Sequence, residues 1–263
     1  MENRARREER MRGDLASSSC DTLRERAATY NILSSFYLEM PTLQIAECLL
    51  KGVIPFPDEL RNIQGYPDLE KGLSLIADWI ERCPKGSEEI HSLLKQEFTR
   101  LFVGPRPKPA PPYESVYRDK LGLRGDNYHG LMMGESVDRA KLKYAQAGIH
   151  KSEEWHIHPD DHLGVELAFM GYLYEKVLEQ EEKTGAEIIP LVEMQIAFLT
   201  DHLLQWVPRF SEDLFQCEEA DFYKGIAKVT NGFLMVDLML LKQDLVSERT
   251  DSSVIPQASV RES

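Results

Sequence analysis

Apolar residues along this chain recur at three- and four-residue steps almost everywhere, the spacing of helices with one buried face. Leu23, Ala27, Tyr30, Leu33 and Tyr37 predict a first helix with Asp21 as its cap, ending before Pro41. Thr42 is placed to cap a short second helix carrying Ile45, Leu49 and Leu50. Residues 52–67 hold Pro55, Pro57, Gly65 and Pro67 and predict a connection with at most one helical turn. Helical spacing returns over 68–82 with Leu69, Leu73, Ile76 and Ile80. It returns again from Ser87 with Ile90, Leu94, Phe98, Leu101 and Phe102, and Gly104-Pro105 must end that helix. Five prolines then fall between 105 and 112, where fixed φ and missing N–H donors leave only a stiff strap.

Beyond a glycine-bearing stretch at 121–130, Val137, Ala140 and Tyr144 predict a helix closed by Gly148 as a left-handed cap. Pro159 fits the first position of a further helix, with Asp160 and Asp161 in its first turn at the positive end of its dipole. From Leu163 to Val177 that helix has little polar circumference, which predicts a central, buried place. A helix over 188–207 stopped by Pro208, and a last one over 218–245, complete the pattern. No alternating strand, 20–50-residue repeat or phosphate-binding glycine loop is present in the sequence. The expected fold is all-α, a non-bundle assembly of roughly eight to ten helices around the strap. One domain is expected over 20–246, with a layer to about 118, a flexible link at 119–130 and a second layer beyond it. Residues 1–19 and 247–263, polar and poor in apolar residues, are expected to be mobile tails.

Composition narrows the function. A formal charge of −13 over 263 residues repels nucleic acid and anionic membrane and favours cationic partners. Cys20, Cys48, Cys83 and Cys217 stand alone, as suits reduced thiols in a cytoplasmic protein. No apolar run long enough for stable membrane insertion occurs, and Arg6-Arg7 is followed by Glu8-Glu9-Arg10 rather than by an apolar export segment.

Two blocks carry more specific information: Glu97-Phe98-Thr99-Arg100-Leu101-Phe102 leading into Pro111-Pro112-Tyr113-Glu114-Ser115-Val116-Tyr117, and Pro159-Asp160-Asp161-His162-Leu163 with Glu166-Leu167 and Phe169-Met170. With Tyr144 and Gly148 between them, they closely resemble the TorD/DmsD/NarJ family of cytoplasmic chaperones for molybdenum-containing oxidoreductases. The resemblance spans about 21–245. It implies an all-helical chaperone, not an enzyme and without a cofactor or metal; the glycine-bearing stretch at 121–130 permits either a monomer or an exchanged dimer. Its implied partners are a twin-arginine signal peptide and the apo form of a molybdenum-containing reductase or dehydrogenase.

Such a peptide presents two guanidinium groups and an apolar segment, so its receptor needs carboxylates beside an apolar groove. The candidate binding residues are Phe98, Leu101, Phe102, Pro112, Tyr113, Ser115, Tyr117, Asp161, His162 and Glu166. His162 and Glu166 are spaced to pair on one helix face. The bland alternative is that the aromatics fill core and the aspartates only cap a helix. A rival chemistry is a metal-dependent hydrolase using His156, His158, Asp160 and His162, although the run has one residue more than the His-x-His-x-Asp-His pattern and helical neighbours. A non-catalytic helical scaffold is the remaining alternative.

Overall fold

A computed structural model describes residues 2–53, 56–104, 108–119, 134–149, 158–181 and 188–253. The fold is all-α. Its helices are α1 (Glu2–Leu38), α2 (Leu43–Leu50), α3 (Asp58–Asn62), α4 (Pro67–Arg82), α5 (Ser87–Phe102), α6 (Glu114–Arg118), α7 (Glu135–Gln146), α8 (Leu163–Glu181), α9 (Ile189–Phe198), α10 (Leu204–Gln216) and α11 (Phe222–Ser253). A π-helical turn, Leu199–Leu203, joins α9 to α10. The only β pairing among the described residues is an antiparallel bridge between Tyr113 and His162.

Local signals set many of the helix ends as expected. Thr42 accepts the Ile45 N–H in its hydroxyl oxygen at 3.4 Å and caps α2. Gly148, with φ of 73°, ends α7: the Ile149 N–H reaches the Tyr144 carbonyl at 2.9 Å and the Gly148 N–H that of Ala145 at 3.0 Å. Gly104 is also left-handed, at φ of 97°, directly after α5.

Other ends differ. Helical backbone in α1 runs back to Glu2, so Asp21 is no cap; it lies within the helix and pairs with Arg24 at 3.0 Å. Pro208 does not stop its helix, which continues to Gln216. The bond that Pro208 cannot donate would go to Leu204, where the wider π turn has just given way to α10, so the gap falls at a change of pitch. The last helix begins at Phe222 rather than near 218 and runs to Ser253. The expected link at 119–130 lies, beyond Asp119, outside the described residues.

One continuous apolar core unites helices from both sides of residue 118, with α1 packed along α8 and α4 along α11. Backbones approach closely at these seams. A Cβ on Gly164 would lie 2.4 Å from Leu38 Cγ and 3.0 Å from the Ser34 carbonyl. One on Gly232 would meet the Leu69 amide nitrogen at 2.3 Å. Helix α8 is central, as its sequence requires, with every residue from Leu163 to Met170 buried. A polar knot ties three helices together: Tyr30 of α1 and Tyr174 of α8 donate their hydroxyls to Asp237 of α11 at 2.6 and 2.5 Å.

Candidate functional site

The strap crosses the start of α8, and backbone bonds fasten it there. The Leu163 N–H donates to the Pro112 carbonyl at 2.9 Å, and the Glu114 N–H donates to the Asp161 carbonyl at 3.0 Å. Because the Asp161 carbonyl and the Leu163 N–H are taken by this clasp on either side of the His162 bridge, α8 starts at Leu163. Pro159 is therefore not at its first position, and Asp160 and Asp161 lie in a turn before it, closed by the His162 N–H to Pro159 carbonyl bond at 3.2 Å. His162 occupies the cap position instead: its carbonyl accepts the Val165 and Glu166 amides, and its Nδ1 accepts the Gly164 N–H at 3.1 Å.

Asp161 serves a different helix from the one expected. Its Oδ2 accepts the Ser115 N–H at 2.9 Å, within the first turn of α6, and the carboxylate is fully buried. Burial pushes its pKa upward against the pull of the Ser115 bonds. Glu166 is also fully buried, and its Oε2 accepts the Trp206 indole N–H at 3.1 Å. Burial first, then the charges of Glu114 and Asp161, hold the Glu166 carboxyl well above the usual carboxylate range. The Glu166 side chain thus meets Trp206 and Glu114, and its link to His162 runs through backbone.

Beneath the clasp lie residues that were not among the candidates. Glu114, the first residue of α6, is fully buried; it bonds Arg118, and its Oε2 lies 3.1 Å from Nδ1 of the buried His202. His202 sits in the π turn, where its ring stacks on Phe198 at 4.7 Å. Arg118 also donates to the Asp201 carbonyl at 2.6 Å, tying α6 to the same turn. One carboxylate oxygen each of Glu114 and Glu166 and a ring nitrogen of His202 lie within 4.8 Å of one another. Glu114 and Glu166 stood inside the recognised blocks; His202 and Trp206 arrive from the π turn and α10, far along the chain.

The aromatic candidates divide. Phe98 and Leu101 are core residues. Phe102 packs edge-on to Tyr37, which packs on Phe210, which meets Tyr117 at 6.3 Å; Tyr117 in turn stacks on Trp206 at 5.5 Å. The two ends of the first block are thereby joined through a run of rings, and Tyr113 meets His162 of the second block edge-on at 5.1 Å. Pro112, Ser115, Asp161, His162 and Glu166 are buried, whereas Phe102, Tyr113 and Tyr117 keep part of their surface exposed. Sequence reasoning also passed over the role of Glu97, a buried carboxylate on α5. It accepts the Asp221, Phe222 and Tyr223 amides at 2.7, 3.2 and 3.0 Å and so caps α11.

The profile of the family described as "Nitrate reductase delta subunit" matches residues 66–212, a span that contains the whole clasp. The chain belongs to the TorD/NarJ family. Curated relatives from this family align over most of its length. A "Chaperone protein TorD" of Aliivibrio fischeri is 27% identical over 218 residues, covering 82% of this chain and 94% of that protein. The protein of the same description from Vibrio cholerae is 26% identical over 214 residues, covering 81% and 90%. That of Photobacterium profundum is 29% identical over 177 residues, covering 66% and 76%. The hydrolase alternative is not favoured. His156 lies outside the described residues, His162 Nδ1 is occupied by a helix amide, and the three-residue ligand set among the described residues is a different one.

Proposed function

We propose that this TorD/NarJ-family chain is a cytoplasmic chaperone, not an enzyme. It captures a twin-arginine signal peptide, or the unfinished body of a molybdenum-containing reductase or dehydrogenase, and holds that client until its cofactor is in place. The observation that carries this reading is the clasp itself: the two blocks that mark the family are bonded to each other across the Pro112 to Leu163 contact. Relatives covering most of the chain are described as chaperones. No described helix is long and apolar enough to cross a membrane.

Differences in exposure support two kinds of work for the candidate residues. Tyr113, Tyr117 and Phe102 offer aromatic surface to an apolar peptide segment. Phe98, Leu101, Pro112, Ser115, Asp161, His162 and Glu166 set the shape of that surface from below. The guanidinium pair is then met by carboxylates with exposed area rather than by Asp161; Asp160 is half-buried beside the clasp and Asp201 is exposed on the π turn. Calorimetric titration with a twin-arginine signal peptide and its Lys-Lys counterpart tests the proposal. Tighter binding of the arginine form is expected, together with co-purification of an apo molybdoenzyme from the native cell. Equal and negligible affinity for both peptides, with no such client recovered, overturns it.

A further inference from the structure

We propose that Glu114, Glu166 and His202 form a buried structural site for one divalent cation of the zinc, cobalt or manganese class. The ligand atoms come from three elements: the first turn of α6, the buried face of α8 and the π turn between α9 and α10. Two carboxylates and an imidazole, mutually within 4.8 Å, supply the hard and borderline donors that such ions take, and leave a position for a further oxygen ligand. A single-turn π bulge is a common way of turning one side chain out of helical register toward a functional site, and here it delivers His202.

The second observation is an unsatisfied one. Glu166 is fully buried, its Oε1 meets no N–H donor, and its carboxyl group lies against that of Glu114, with which it can share only a proton. Asp161 Oδ1, close by and equally buried, is also without a donor. Among these three buried acidic side chains, only Glu114 is paired with a guanidinium, that of the partly exposed Arg118. A dry carboxyl pair of this kind keeps a proton between its members unless other positive charge arrives to replace it. A divalent cation offsets both carboxylates at once and gives Glu166 Oε1 a partner. The Trp206 N–H on Glu166 and the Arg118 guanidinium on Glu114 would then orient the ligands from outside, as supporting groups around metal sites do. Ring stacking on Phe198 would hold the imidazole plane.

The site goes beyond the chaperone reading and does not depend on it. The full chain is prepared without metal, then mixed or refolded with Zn2+, Co2+ or Mn2+, so that burial of the site cannot hide it. One equivalent of Co2+ is expected to give visible ligand-field bands, and Zn2+ is expected to raise the melting temperature. Glu166→Gln and His202→Gln are expected to weaken binding by more than the roughly 10–100-fold that losing an outer-shell partner costs. X-ray absorption of the Co2+-loaded parent is expected to show nitrogen and oxygen neighbours including imidazole, and it needs no variant to fold. A sulfur neighbour, unchanged affinity in the variants, or no metal-linked change in the refolded parent overturns the site; the last outcome leaves a proton shared between Glu114 and Glu166. Peptide affinity of the metal-free protein reports on the chaperone reading separately.

Discussion

Asp161 and Ser115 are joined by an N–H to carboxylate bond of 2.9 Å that spans 46 positions of sequence. It makes Asp161 the cap of α6 and a pin for the strap, where sequence alone placed it in the first turn of α8. Asp161→Asn removes the charge from that buried bond and is expected to cost about 1.5–3 kcal/mol of stability, the range for hydrogen bonds to charged groups. A dipole effect in the first turn would cost only about 0.3–1 kcal/mol. Denaturant titration of the two proteins separates the ranges, and a loss below the smaller figure contradicts the pinning role.

Glu97→Ala strips the cap from α11 and leaves three N–H groups at a buried helix start without their carboxylate. A loss of about 2 kcal/mol or more is expected from the cap and the unpaired donors together. Hydrogen exchange is expected to quicken at 221–223 before the rest of α11. Uniform exchange along the helix would show that Glu97 is not what holds its first turn.

Stability is expected to fall as pH rises from about 4 toward neutrality. Burial raises the Asp237 carboxyl above its usual value, with Arg26, Tyr174 and Tyr30 pulling the other way and Asp244 adding to the rise. A raised folded pKa means that the folded chain holds the proton more tightly than the unfolded chain. The resulting stabilisation is complete below the unfolded value of about 3.9 and is lost as pH passes through the folded value. Asp237→Asn removes this contribution, so the melting temperature of the variant should depend less steeply on pH than that of the parent. An unchanged slope would place the titration elsewhere.

Gly164→Ala drives a methyl group to within 2.4 Å of Leu38 Cγ, with the Ser34 carbonyl at 3.0 Å behind it. Leu38 can shift, but the α1 backbone cannot without breaking the Ser34 hydroxyl bond to the Gly164 carbonyl at 2.7 Å. Overpacking of this kind costs about 1–3 kcal/mol. A variant as stable as the parent in chemical denaturation would show that the seam between α1 and α8 is looser than its geometry.

Twin-arginine peptide affinity should weaken with added salt if partly exposed carboxylates meet the guanidinium groups, since charges beyond about 8 Å are largely screened at 0.15 M. Titrations across ionic strengths measure this. A flat response would assign capture to the aromatic surface of Tyr113, Tyr117 and Phe102 alone.

The sequence by itself determined what depends on neighbours a few residues apart. The Thr42 cap, the Gly148 turn closing α7, the stop after Phe102 and the buried course of α8 all follow from local backbone chemistry and 3.6-residue periodicity. The two family blocks were legible as well, because their residue types are distinctive. Tertiary structure decided how those blocks bond and what lies under them. The α8 start moved from 159 to 163 because the backbone of 161–163 is spent on the strap, a pairing with no local signature. Glu97 finds its amides 124 to 126 residues away, and Glu114 finds His202 at a separation of 88. Periodicity reports which face of a helix is buried; it carries no information on which distant donor meets a buried carboxylate, and the chemistry of this site lies in those meetings.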